Sequence, residues 1–159
     1  MTSRLPLKTK SSSVQQRRRA NSHGCMRKDG GGLPEGMVAR LDDALKNLGD
    51  RSALNRNPLA HSAYLERLAN EKYRDKIMPR GLALREVIAE CVNKISAEVG
   101  SEPGLQKACR YLDLRAKGVK CCDISSELGL AREHVSRTVR KRALELLLEE
   151  FLSMTRKND

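Results

Sequence analysis

The five cysteines and three histidines are the residues of this 159-residue chain best suited to nucleophilic, redox or metal chemistry. Their arrangement supports little of it. Cys25, Cys91, Cys109, Cys121 and Cys122 are odd in number, form no CxxC pair and include two neighbours, which is poor arithmetic for disulfides or a zinc ribbon. They read as reduced thiols. Cys91 and Cys109 fall on apolar helical faces, where a thiol behaves as a small hydrophobe. Cys121 and Cys122 open a short helix, where a helix N-terminus favours the reactive thiolate, so a redox or metal switch is the alternative there. His134 follows them at a spacing that fits no zinc pattern. None of His23, His61 and His134 lies near both a nucleophile and an acid in sequence, and Gly30-Gly31-Gly32 lacks the flanking strand and GK[ST] ending of a phosphate loop. A protein that is not an enzyme, with no cofactor and no metal, is expected.

Positive charge is the stronger chemical signal. The chain carries 31 Lys and Arg against 20 Asp and Glu, a formal net charge of +11. Residues 1–32 hold eight basic residues and one acid, residues 33–103 hold eleven of each, and residues 104–159 hold twelve against eight. The excess is therefore at the two ends. Such a distribution suits a polyanion, because neutralising phosphates releases counterions. A merely solubilising tail is the plainer alternative.

The first 32 residues, rich in Ser, Arg, Lys and Gly and including Arg17-Arg18-Arg19, bury too little surface to offset ordering entropy. A disordered basic arm is expected there. Its composition also fits an organelle transit peptide, against which Pro6 and the scarcity of apolar residues count. No stretch approaches the roughly 18 apolar residues of a membrane span, and no secretory signal is seen. A cytoplasmic protein with no membrane partner follows as the expectation.

From Leu33 onward the apolar residues recur at helical spacing. Met37, Val38, Leu41, Leu45 and Leu48 mark one helix closing at Gly49, and Leu59, Leu65, Leu68 and Ala69 mark another starting near Pro58. After Pro79, a stripe of Leu84, Val87, Ile88, Cys91, Val92, Ile95 and Val99 ends at Gly100. With four aromatic residues, no Trp and no comparable alternating segment, the fold class is all-α. The charge-balanced segment 33–100 reads as a helical module for oligomerisation or partner docking, with His61 on its surface.

The last third is more specific. Leu105, Ala108, Cys109, Leu112 and Ala116 line a helix broken at Gly118; a short helix runs from Cys121 to Leu128; and a long one begins near Arg132 after the Gly129-Leu130 turn. Two helices joined by a tight Gly-containing turn form the unit that lays its second helix in the DNA major groove. Ile124 and Leu128 point inward, Ser125 is small at the crossing, and Leu130, Val135, Val139 and Ala143 continue the core stripe. Glu133, Arg137, Arg140 and Lys141 lie opposite that stripe, with Ser136 at its edge and Arg132 at the helix start.

The run from Gly118 to Arg137 resembles the helix-turn-helix shared by sigma-factor region 4 and LuxR-type regulators. The matching residues are Asp123-Ile124-Ser125, Leu128-Gly129, Val135, Val139 and Ala143, within roughly residues 103–145. The resemblance implies double-stranded DNA binding, with Arg132, Glu133, Ser136, Arg137 and Arg140 on base edges and Lys120, Lys141 and Arg142 on phosphates. Two features depart from the family. Lys120 and Ala131 stand where it has capping Ser or Thr, and an absent cap costs about 1 kcal/mol. No aromatic-rich counterpart of sigma region 2 is present, so a complete sigma factor is not expected.

The expected organisation is a basic arm (1–32), a helical module (33–100) and a helix-turn-helix domain (103–155). The expected function is a nucleoid-associated, sequence-specific transcriptional regulator. Leu144, Leu146, Leu147, Leu148, Phe151, Leu152 and Met154 widen the apolar face of the last helix, for packing on the middle helices or on a second copy. A homodimer would space two reading helices by about one DNA turn. RNA polymerase or another transcription component is the partner in the alternative of an interaction adapter, and nonspecific nucleoid packaging is the third reading.

Overall fold

The computed structural model describes residues 35–158, which form helices and the turns between them, with no strand among the described residues. The expectations for the basic arm lie outside the described residues. Helix α1 (Glu35–Lys46) buries Leu41, Ala44 and Leu45 completely, while Met37 and Val38 cover the same core in part.

The single helix expected from Pro58 is instead two pieces, a 3-10 turn (Pro58–His61) and α3 (Ala63–Lys72), and a further short helix not expected from the sequence, α2 (Arg51–Arg56), precedes them. Local polar chemistry divides them. The Asp50 carboxylate accepts from the amides of Ser52 at 2.9 Å and Ala53 at 3.1 Å, capping α2. Asn57, held extended before Pro58, accepts from the Leu59 amide at 3.0 Å and donates to the Arg40 carbonyl at 3.0 Å. With 4% of its surface exposed, it is a buried polar residue whose side chain is satisfied on both sides. The signal for the missed helix was the Asp50 cap.

Helix α4 (Pro79–Glu98) is the axis of the bundle and packs on α2, α3, α5 and α8. Its buried stripe of Leu84, Val87, Ile88, Cys91, Val92 and Ile95 follows the expected one. Gly81 sits against α2, where an added Cβ would stand 2.6 Å from the Arg51 carbonyl oxygen and 3.0 Å from the Asn55 nitrogen. Its amide also donates to Asn55 Oδ1 at 3.2 Å. Backbone cannot yield as a flexible side chain does, so Gly81→Ala is expected to destabilise by about 1–3 kcal/mol in urea unfolding, the usual range for overpacking. An unchanged midpoint would contradict this close approach.

The chain continues through α5 (Pro103–Ala116), α6 (Cys121–Leu128) and α7 (Arg132–His134). A π turn (Val135–Val139) then leads without interruption into α8 (Arg140–Asn158). Helix α8 crosses α1, α4 and α5, burying Leu144, Leu147, Leu148, Phe151 and Met154. Lys94 of α4 pairs with Glu150 of α8 at 2.5 Å over this contact. The two segments separated in the sequence at residues 100–103 thus share one hydrophobic core. The apolar width of α8 is used within the chain, which leaves it no buried stripe to explain by a second copy. Among the described residues no helix is long and apolar enough to cross a membrane.

Candidate nucleic-acid interface

The turns on either side of α6 are set by backbone chemistry more than by caps. Gly118, at φ 84°, lets the chain turn out of α5, and Arg115 steadies the loop by donating to the Val119 carbonyl at 3.1 Å. Lys120 and Ala131 make no side-chain cap bond, as their types imply. The end of α6 is well satisfied. Gly129, at φ 63°, donates to the Ser126 carbonyl at 3.2 Å, and Leu130 donates to the Ser125 carbonyl at 3.0 Å. That paired closure is the Schellman arrangement, and it fixes the angle at which the next helix leaves.

Ile124 and Ser125 are buried where α6 meets the following helix, and Ser125 donates to the Cys122 carbonyl at 2.8 Å. The facing side of the next helix supplies Val135, Val139 and Ala143, all buried. With that stripe inward, Arg132, Glu133, Ser136, Arg137 and Lys141 are exposed, as are His134 and Thr138. Among the described residues no ion pair engages Arg132, Arg137, Lys141 or Lys120. Arg142 is exposed but lies 3.6 Å from Glu145 one turn on.

Arg140 departs from expectation. Its guanidinium is not offered freely outward: it pairs with Asp42 of α1 at 2.5 Å, with side-chain exposures of 41% and 19%. The cause is the π turn, in which the Arg140 amide bonds the Val135 carbonyl five residues back. One extra residue in the turn puts Arg140 where the preceding residue of a straight helix would be, about 40° from Val135 instead of about 140°. It is thereby swung toward the core side and α1. The hydrogen bond that Arg140 donates to Asp42 raises the guanidinium pKa further. Asp42 lies 98 residues from its partner in sequence, and no local pattern announces it.

A cavity of about 300 Å³ opens beside this pair, between α5, α6 and the start of the helix that begins at Arg132. Cys121 and Cys122 line one wall and Arg132, Glu133, Ser136 and Arg140 the other. Tyr111 closes it with a fully buried ring whose hydroxyl is 3.4 Å from Cys121 Sγ. Burial, then the bond to Cys121, raises the Tyr111 pKa, so the phenol keeps its proton, and either group can donate across the contact. The sequence stripe on α5 passed over Tyr111, although it lies three residues beyond Ala108 on the same face. Among the described residues no group of three or more His, Cys, Asp or Glu side chains is arranged to hold a metal ion.

Comparison with protein-family models, with curated proteins and with solved structures found no match to this chain.

Proposed function

We propose that this protein binds double-stranded DNA and acts as a transcriptional regulator, laying the helix that begins at Arg132 in the major groove. The observation that carries this reading is the pair of exposed guanidinium groups, Arg132 and Arg137, without an acidic partner among the described residues, on a helix set by a closed Gly129 turn. Arginine is the side chain best matched to the two acceptors on the guanine edge. Glu133 accepts from a cytosine amino group, and Ser136 serves either partner of a pair. Lys120 and Lys141 flank this face and contact phosphates, with Arg142 as a further phosphate contact once it exchanges Glu145 for the backbone. Arg140 has a different role from the one its wheel position suggested. Held by Asp42, it fixes the reading helix to α1 and leaves base contact to Arg132 and Arg137.

Anisotropy of a labelled duplex titrated at several salt concentrations tests this directly. The logarithm of affinity is expected to fall with the logarithm of salt by at least roughly 2.7, about 0.9 for each of three phosphate contacts. Lys120→Glu with Lys141→Glu should lower that slope by about 2 while keeping the preferred sequence. A duplex that is not retained, or retained with no salt dependence, would overturn the assignment.

A further inference from the structure

We propose that the cavity beside Cys121 is a thiol-modification site for apolar electrophiles with a conjugated carbonyl, of the quinone class, and that its adduct controls access to the reading helix. The control rests on the DNA-reading assignment above; the capture does not.

The geometry separates the thiols sharply. Cys91 and Cys109 are buried, and burial pushes the Cys91 thiol pKa up to about 12, so neither offers a nucleophile to solvent. Cys121 and Cys122 are exposed, and both line the cavity. Its volume of about 300 Å³ is at the small end of ligand pockets. Val135, with the buried Tyr111 ring behind it, supplies apolar wall for a flat carbon skeleton, and Arg132 and Arg140, with Glu133 between them in sequence, supply charge at one side. No carboxylate cluster suited to a metal competes for the same space among the described residues.

Of the two thiols, Cys121 has the placed partner. Its sulfur shares a hydrogen bond of 3.4 Å with the Tyr111 hydroxyl of a different helix, whereas the Cys122 sulfur is engaged at 3.6 Å by the carboxylate of its own chain neighbour, Asp123. Capture is a conjugate addition. The Cys121 thiol proton leaves to solvent, the sulfur lone pair forms a bond to the ring carbon, and the displaced π pair moves to the carbonyl oxygen. That oxygen develops negative charge within reach of the Arg132 and Arg140 guanidinium groups and then takes a proton from water. The ring carbon then loses its own proton while the second carbonyl oxygen gains one, giving a hydroquinone thioether; two protons leave, two are taken up, and no separate oxidant is needed. Arg140 is held in place for this by Asp42.

The adduct then fills space bounded by Arg132, Glu133 and Ser136, three residues assigned to base edges. A ring there obstructs the base beneath the start of the helix.

The test uses the full chain, 2-methyl-1,4-naphthoquinone as probe, and peptide mass spectrometry. Cys121 is expected to be labelled at least tenfold faster than Cys122 and than Cys25. Iodoacetamide, small and polar, should show less than a threefold preference, which separates recognition by the cavity from mere exposure. Cys121→Ser should remove the fast phase, and Tyr111→Phe should slow it about tenfold with the helical circular dichroism unchanged. Labelled protein should bind duplex at least tenfold more weakly than unlabelled protein. Equal labelling of the exposed thiols, or the same preference with iodoacetamide, would overturn the site. Fast labelling with unchanged duplex affinity would overturn the control alone, whereas failure of unlabelled protein to bind duplex would remove the DNA reading and leave the capture site standing.

Discussion

Arg132→Glu combined with Arg137→Glu is expected to weaken duplex binding by at least about 100-fold, because each bidentate base contact contributes on the order of 1–3 kcal/mol and reversal adds repulsion from phosphate. Both side chains are exposed and neither belongs to an ion pair among the described residues, so the double substitution removes no contact of the fold. Its thermal unfolding should therefore match that of the unsubstituted protein. Arg137→Lys sharpens the point: the charge stays but the planar fork is lost, so preference at one base pair should relax while affinity for random duplex changes little. Arg140→Glu is expected to behave differently. It sets a carboxylate against Asp42, and any loss of binding should come with a lower melting temperature. Full retention of duplex by the Arg132/Arg137 double variant would exclude this face as the contact surface.

The second large effect is on stability. Leu147 is fully buried on α8, which runs across α1, α4 and α5. Truncation to Ala there is expected to cost about 2–5 kcal/mol, the lost transfer energy plus that of the cavity left behind. Because residues on either side of position 100 share one core, the loss should appear as a single shifted transition followed equally by Tyr73, outside the helix-turn-helix, and Tyr111, inside it. Two transitions, with only the one reported by Tyr111 shifted, would mean that the helix-turn-helix folds as a separate unit. The shared core also bears on the proposed function: the helix that begins at Arg132 and continues as α8 is held by the whole bundle, and its orientation does not depend on the missing caps at Lys120 and Ala131.

Much of this arrangement is written in local pattern. The α4 stripe, the α6 boundaries and the positive φ of Gly129 follow from apolar period and from the conformational freedom of glycine, which are properties of neighbouring residues. The division at Asp50 and Asn57 was legible too, since both are capping types, but a short helix of six residues has too few apolar positions to show a period. Other features were not legible. A wheel drawn at 100° per residue cannot contain the π turn at Val135–Val139, and so it set Arg140 beside Arg137 on the outer face. The Asp42 carboxylate that receives Arg140 is brought there only by the packing of α1 against α8, a contact between distant parts of the chain. The cavity is of the same kind: Tyr111, Cys121 and Arg132 belong to three helices, and only their crossing encloses a volume. The exposed arginines thus follow from local sequence, while the residue that anchors their helix and the space beside them follow from tertiary contact.

Selection of bound fragments from a random pool of duplex DNA, carried out in parallel with the unsubstituted chain and with Arg132→Glu/Arg137→Glu, measures the major-groove assignment most directly. The unsubstituted chain is expected to enrich one short motif containing a guanine, and the double variant to enrich none. A chain that holds duplex yet enriches no motif would be a nonspecific binder, and equal enrichment by both proteins would place base reading elsewhere on the molecule; either result would contradict base reading by the helix that starts at Arg132.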